Sequence, residues 1–398
     1  PTPSKKPSWG SAATLSGCSA CTSPIFVQSD SPPGTVLGQG HVRARNMTGA
    51  PGVPAANPWP LYPSGVAPLD RPGYFSPESV KNRPEGRMFF NVTNVTLTPY
   101  LVDRGHPLFT GTSVIVAPGG AYKWITWDAE GTDIAAWLNS IGVSAFLLKY
   151  RVPFRPWLEP GALSCCPATP RCCAPADRSP DYTDVRAARG PLIDAQRALS
   201  VVRARAPSLG LNATAVGFMG FSAGGHLGAQ LGTTGLRRRL YARIDSADDA
   251  AWRAPDWLIL IYPAYLVPTG RDVTPSDRAV TLNVTAEHPP TLLLQSEDGG
   301  FSYGSIYYYL ALKAAAATAS DAYAAHAHEL HQYPDRTEQA RHGFGRCLRP
   351  PLASDVCAWP VNARAFMQGL GVAARRLAPG ALEHEPGAAC FGSSEAVK

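Results

Sequence analysis

The sequence predicts an α/β domain, with a mostly parallel central sheet and helices on both of its faces, preceded by an irregular N-terminal extension. Three observations carry that prediction. From about residue 86 onward, short runs rich in Val, Ile, Leu and Phe recur at strand length. Segments with apolar residues three and four apart alternate with them, each with a Gly or Pro near an end, and that order is the sequence form of a parallel sheet covered on both sides. No repeat is visible at solenoid or propeller spacing. With 398 residues and 45% hydrophobic composition, the chain is long and apolar enough to bury such a core.

Residues 1–84 are rich in Pro, Gly, Ser and Ala, as in "SDSPPGTVLGQG" and "GAPGVPAANPWPLYPSGVAPLDRPG", and show no helical or strand period. Trp59, Tyr62, Tyr74 and Phe75 leave two outcomes open for this extension: disordered, or packed across a neighbouring domain. Residues 85–380 form the domain proper. Its expected strands are "MFFNVTNVTLTPYL", "TSVIVAP", "SAFLLKY", "AVGFMG", "WLILIYP", "TLLLQS" and "HELHQYP". Its expected helices are "DAEGTDIAAWLNSIG", "PLIDAQRALSVVRARAPSLG", "GGHLGAQLGTTG", "SIYYYLALKAAAATASDAY" and a last amphipathic piece, "WPVNARAFMQGLGVAARRL". A Cys-rich insert occupies residues 161–180, and residues 381–398 read as a C-terminal tail.

The net charge is +6, but no block of Lys and Arg is interleaved with aromatics, so nucleic-acid binding is not expected. No apolar run approaches the roughly 20 residues a membrane span needs. Sequons stand at Asn46, Asn91, Asn94, Asn212 and Asn283. The chain has 9 cysteines, including "CSAC" (Cys18, Cys21), "CCPATPRCC" (Cys165, Cys166, Cys172, Cys173) and the single residues Cys347, Cys357 and Cys390. Vicinal pairs in a Pro-rich loop suit disulfides better than one zinc ion, and an odd count leaves one thiol over. These features predict a product of the secretory pathway, and a first residue Pro1 fits either a mature product whose signal peptide is gone or a trimmed chain. Oligomeric state is not legible.

The candidate chemistry centres on "GFMGFSAGGHLG", where Ser222 stands in a G-x-S-x-G frame. The frame occurs again in "GFSYG", around Ser302, so the pattern alone does not choose. Context does. "AVGFMG" runs directly into Ser222 and a helix-like stretch follows at once, whereas "EDGGF" separates Ser302 from its strand as an open loop. A serine on a sharp strand-to-helix turn lifts its Oγ clear of the sheet, and small Ala223 after it suits an oxyanion donor better than Tyr303. In this architecture an acid and then a histidine follow the serine. Asp298, with Glu297 as the fallback, ends "TLLLQSED", and His342 lies in the Gly-rich "RHGFG"; both sit beyond strand ends, where side chains converge on one crevice.

The strand-end loop "APGGAYKW" offers further oxyanion donors through Gly119, Gly120 and Ala121. His226, four residues past Ser222, reads as packing or support, and His326, His328 and His331 include an H-x-H pair but offer no third ligand at a recognisable metal-site spacing. No metal or cofactor is called for. Tyr122, Trp124 and Phe301, with Trp127, Tyr262, Tyr265 and Tyr303, lie at strand ends or in loops where aromatic faces can meet a substrate, core packing being the alternative.

Over about residues 88–372 the chain resembles an α/β-hydrolase esterase, in the branch of acetyl-xylan-esterase-like and related acetyl or feruloyl esterases. The resemblance rests on "VIVAPGGAYKWITWDAEGTDIAAWLNSIGVSAFLLKYRVP", "PLIDAQRALSVVRARAPSLGLNATAVGFMGFSAGGHLGAQL", "LLLQSEDGG", "YYYLALKAA" and "RHGFG". It implies Ser222 as nucleophile, Asp298 and His342 as its partners, the N–H groups of Gly120, Ala121 and Ala223 as oxyanion hole, and short acyl esters on carbohydrate as substrate. The sequence departs from the family in two places. Its oxyanion segment is Pro118-Gly119-Gly120-Ala121, where three glycines or a leading His are common, and "DGGFSYGS" replaces the usual Asp-Pro-x-Val of the acid loop. The competing readings are a serine peptidase of prolyl-oligopeptidase kind, a general lipase or carboxylesterase, and a non-catalytic binding protein on the same scaffold.

Overall fold

A computed structural model describes residues 54–65, 67, 77–84, 86–152, 189–233, 238–267, 280, 282–297, 300–318, 328–334, 342–348 and 355–375. Expectations that fall elsewhere, among them Asp298, Asn46, His326, Tyr74, Phe75, the Cys-rich insert and the C-terminal tail, lie outside the described residues.

Five runs of predominantly apolar residues bury every position and form the centre of the sheet: β5 (Ser113–Ala117), β7 (Ser144–Lys149), β8 (Val216–Phe221), β9 (Leu258–Ile261) and β10 (Thr291–Ser296). Strands covered on both faces show no alternation, as parallel sheets require. With β1 (Trp59–Pro60), β4 (Thr96–Tyr100) and β11 (His328–Tyr333), they make an 8-stranded sheet in the order β1-β4-β7-β5-β8-β9-β10-β11. Every pair from β7 to β11 is parallel, and β4 is antiparallel to both β1 and β7. A second sheet of 3 antiparallel strands contains β2 (Ser79–Arg83), β3 (Gly86–Phe90) and β6 (Trp124–Thr126).

The helices α1 (Asp133–Ser140), α2 (Arg189–Leu209), α3 (Ala223–Gly232), α4 (Gly300–Ala316) and α5 (Trp359–Gly369) pack around the main sheet. Helix α1 meets α5 through Trp137 and Trp359, whose ring centroids are 5.3 Å apart, while α2 packs against α3. No described helix is long and apolar enough to cross a membrane.

The structure corrects four expectations. "MFFNVTNVTLTPYL" is two strands in different sheets, parted at Asn91, whose φ of 53° turns the chain. Part of the supposedly irregular extension is ordered: Trp59 and Pro60 pair with β4, and Leu61 and Tyr62 are buried in the core. "DAEGTDIAAWLNSIG" begins as a single π-helical turn, Asp128–Thr132, before α1. Lastly, α4 starts at Gly300, ahead of the expected "SIYYY", so "GFSYG" lies within its first turns and the end of "EDGGF" is helical.

Candidate active site

The carboxyl ends of β5, β8, β9, β10 and β11 lie side by side, and the candidate residues follow those ends. Ser222 follows β8 and is the N-cap of α3, with φ 51° and ψ −114°, a conformation that a non-glycine residue holds only under constraint. The constraint is visible in its backbone. Its N–H donates to Ile261 O (3.0 Å), and its carbonyl accepts from His226 (3.0 Å) and Ala264 (3.1 Å). The flanking glycines are required by contact: a Cβ on Gly220 would stand 2.0 Å from Gly224 O, and one on Gly224 would stand 2.1 Å from Ala117 O.

His342, beyond β11, brings its Nε2 to 2.7 Å from Ser222 Oγ. In the tautomer protonated on Nδ1, the serine hydroxyl donates to that nitrogen. The imidazole is held between rings: Phe301, from the start of α4, lies at 4.6 Å and Tyr262, just past β9, at 5.0 Å. Glu297 is exposed, and its carboxylate accepts from Gln332 at 3.2 Å on the sheet rim. Ser302 is buried within α4, so the two G-x-S-x-G copies differ in environment: one is an elbow, the other a packed helix.

The turn after β5 faces Ser222. Gly119 approaches so closely that a Cβ there would stand 2.8 Å from Ser222 Cβ. Its N–H is already engaged, donating to Glu130 Oε2 at 2.6 Å. Gly120, Ala121 and Tyr122 then take φ values of 131°, 53° and 53°, a run outside the ordinary region that turns the chain sharply. Gly120 O closes the turn by accepting from Lys123 (2.8 Å) and Trp124 (3.1 Å). Tyr150 donates its O–H to Pro118 O at 2.6 Å from below. Ala223 opens α3, where backbone N–H groups have no partner within the helix and point outward.

Tyr122, expected to meet substrate, is 0% exposed; its hydroxyl sits 3.0 Å from His226 Nδ1 and so braces the turn from inside. Burial lowers the pKa of His226 to about 3, which keeps it neutral. Phe301 is buried against His342, whereas Trp124 is half-buried and pairs with Phe90 at 5.9 Å. Asn94, Asn212 and Asn283 are exposed and Asn91 is half-buried. Cys347 and Cys357 form a disulfide in the segment after His342.

Sequence reasoning missed Glu130 and passed over the hydroxyl of Tyr262. Glu130 Oε1 accepts from the Tyr262 hydroxyl at 2.8 Å, and that hydroxyl accepts the Gly345 N–H at 3.0 Å. The sequence singles out Glu130 poorly, since it is one of three acidic residues in "DAEGTDIAAWL", with Asp128 and Asp133.

The BD-FAE family matches residues 178–253, a stretch that contains the elbow. An acetylxylan esterase of Xylanibacter ruminicola is 28% identical over 124 residues, which is 31% of this chain and 19% of that protein. The match therefore spans about a fifth of that relative's length. The crystal structure of an acetyl ester-xyloside bifunctional hydrolase from Caldicellulosiruptor lactoaceticus superposes with a TM-score of 0.52 at 25% identity, covering 80% of this chain and 98% of that one. An α/β hydrolase from a Medee basin deep-sea metagenome library aligns at 21% identity and a TM-score of 0.45 over 75% of this chain and 100% of its own. The fold is that of the α/β-hydrolases, and the likeness to esterases read from the sequence is found in both sequence and structure comparisons.

Proposed function

We propose that this α/β-hydrolase-fold chain is a serine esterase that releases short acyl groups, of acetyl type, from carbohydrate. The observation that carries the reading is the 2.7 Å approach of Ser222 Oγ to His342 Nε2 at a positive-φ elbow. His342 removes the hydroxyl proton as Oγ attacks the ester carbonyl, and the N–H groups of Gly120, Ala121 and Ala223 receive the negative oxygen. The imidazolium then returns its proton to the departing alcohol as the C–O bond breaks, leaving the acyl group on Ser222. A water deprotonated by the same imidazole hydrolyses that ester. Asp298 is assigned to orient the imidazole. Engagement of the Gly119 N–H by Glu130 supports Gly120 and Ala121 as the donors on the oxyanion turn.

The carbohydrate part of the reading draws on the acetyl ester-xyloside hydrolase and acetylxylan esterase relatives. It also has local support. Trp124 stands beside the oxyanion turn, with its Cδ1 2.8 Å from where a Gly120 Cβ would be, and forms with Phe90 a half-exposed aromatic ledge suited to a sugar ring. The exposed sequons at Asn94, Asn212 and Asn283 and the Cys347–Cys357 bridge support passage through the secretory pathway; a mass decrease on enzymatic deglycosylation of the native protein tests that. The activity is tested by comparing p-nitrophenyl acetate, longer acyl esters, acetylated xylan and a peptide amide. The proposal expects the acetyl substrates to be preferred, and preference for long acyl chains or for the amide would overturn it.

A further inference from the structure

The geometry points to Glu130 as the positioning residue that ties together the two loops facing Ser222: its Oε2 fixes the oxyanion turn, and its Oε1, through Tyr262, fixes the loop carrying His342. This rests on the esterase reading above.

Glu130 is 7% exposed, in the single π-helical turn Asp128–Thr132. There the Thr132 N–H reaches back to Trp127 O (3.0 Å), a spacing that inserts an extra residue into the turn, a feature often found at functional sites. The neighbouring Asp128 faces another way, onto Arg87 at 2.7 Å. Each carboxylate oxygen of Glu130 serves a different loop: Gly119 N–H at 2.6 Å on one, and Tyr262 O–H at 2.8 Å on the other. Tyr262 passes the connection on. Its hydroxyl accepts from Gly345 N–H at 3.0 Å, and its ring packs edge-on against Phe344 at 4.6 Å and His342 at 5.0 Å. Gly345 is shaped for this, since a Cβ there would meet the Tyr262 hydroxyl at 2.4 Å.

The residue type follows from the bonding. Both donors need an acceptor, and only a carboxylate offers two; a glutamine of equal size would turn an N–H2 toward one of them. Burial raises the carboxyl pKa, while the Tyr262 and Gly119 hydrogen bonds and the charge on His342 oppose that rise. The titratable groups around this carboxyl are Tyr262, Tyr150 and His342. A negative charge here favours the imidazolium that forms as Ser222 is deprotonated.

The test uses the full chain with p-nitrophenyl acetate, comparing wild type with Glu130→Gln, Tyr262→Phe and the double variant. Glu130→Gln is expected to lower kcat roughly 100-fold with KM nearly unchanged, the loss produced by a misplacement of about 1 Å. Tyr262→Phe keeps the ring and its packing and is expected to lose roughly tenfold. The double variant is expected to lose less than the product of the two, because both act through one chain of bonds. The acid limb of kcat/KM moves to lower pH in Glu130→Gln and stays in place in Tyr262→Phe, a split that a merely structural role would not give. Should Glu130→Gln fail to fold, Tyr262→Phe carries the kcat test. Folded variants with wild-type kcat and an unmoved acid limb would overturn the inference while leaving the esterase reading intact. An inert wild type would overturn both.

Discussion

Replacing Gly224 by alanine tests the elbow where the structure is most specific. The added Cβ would stand 2.1 Å from Ala117 O and 2.8 Å from both Ala117 C and Pro118 O. An ordinary carbon contact is about 3.5 Å or more, so α3 and the end of β5 must part by roughly 1 Å. All three obstructing atoms are backbone, and Ala117 leads directly into the oxyanion turn, so no side chain can swing aside to absorb the strain. Overpacking of this kind lowers stability by about 1–3 kcal/mol. The displacement also widens the gap between Ser222 and the N–H groups of Gly120 and Ala121, and a shift of about 1 Å is expected to reduce kcat roughly 100-fold. Thermal unfolding and p-nitrophenyl acetate kinetics measure the two effects separately. Gly369→Ala serves as the control, because nothing lies within 4 Å of that Cβ. If Gly224→Ala kept both the melting temperature and kcat of the wild type, the claim that helix and strand touch at the elbow would be wrong.

Two further outcomes follow from residues outside the reaction. Burial lowers the pKa of His226 and of His288 to about 3, whereas in the unfolded chain both titrate near 6.5. The unfolded chain therefore takes up protons that the folded one refuses. Stability from these two residues is complete above about pH 7 and declines as pH falls, by roughly 2 kcal/mol for each at pH 5. Denaturant midpoints from pH 7 to pH 5 should drop accordingly, with a shallower decline in His288→Asn; a midpoint independent of pH would exclude the effect. Second, Cys347 and Cys357 close a loop with a sequence separation of 10. Replacing both by serine should lower stability by about 3 kcal/mol in urea unfolding; an unchanged midpoint would show that the bridge contributes nothing.

Most of the scaffold was legible because its strands are covered on both faces. "TSVIVA", "AVGFMG" and "TLLLQS" read as short runs centred on apolar residues without strict alternation, and they are β5, β8 and β10. Ser222 was legible because the strand abuts it, and the contacts at Gly220 and Gly224 give the reason. His342 was singled out by chain order, acid and then histidine after the serine, and its Nε2 stands 2.7 Å from Ser222 Oγ.

What escaped was decided by tertiary contact. The break at Asn91 depends on β3 pairing with β6, a partner of 3 residues that carries no periodic signal of its own. Tyr122 was read as able to meet a substrate, with core packing as the alternative, and nothing local reveals that its hydroxyl is directed inward at His226, a residue 104 positions away. Glu130 is 132 positions from Tyr262, and its partner on the other side is a backbone N–H, which leaves no mark on residue type.

The central claim is that Ser222 forms the acyl-enzyme with His342 as its base, and pre-steady-state hydrolysis of p-nitrophenyl acetate by wild type and Ser222→Ala tests it most directly. The account predicts a burst of p-nitrophenol stoichiometric with wild-type protein, an acetyl group recovered on the peptide containing Ser222, and a loss of at least about 10,000-fold in kcat for Ser222→Ala. Wild-type turnover that survives in Ser222→Ala, or that is abolished by Ser302→Ala while Ser222→Ala remains active, would contradict it.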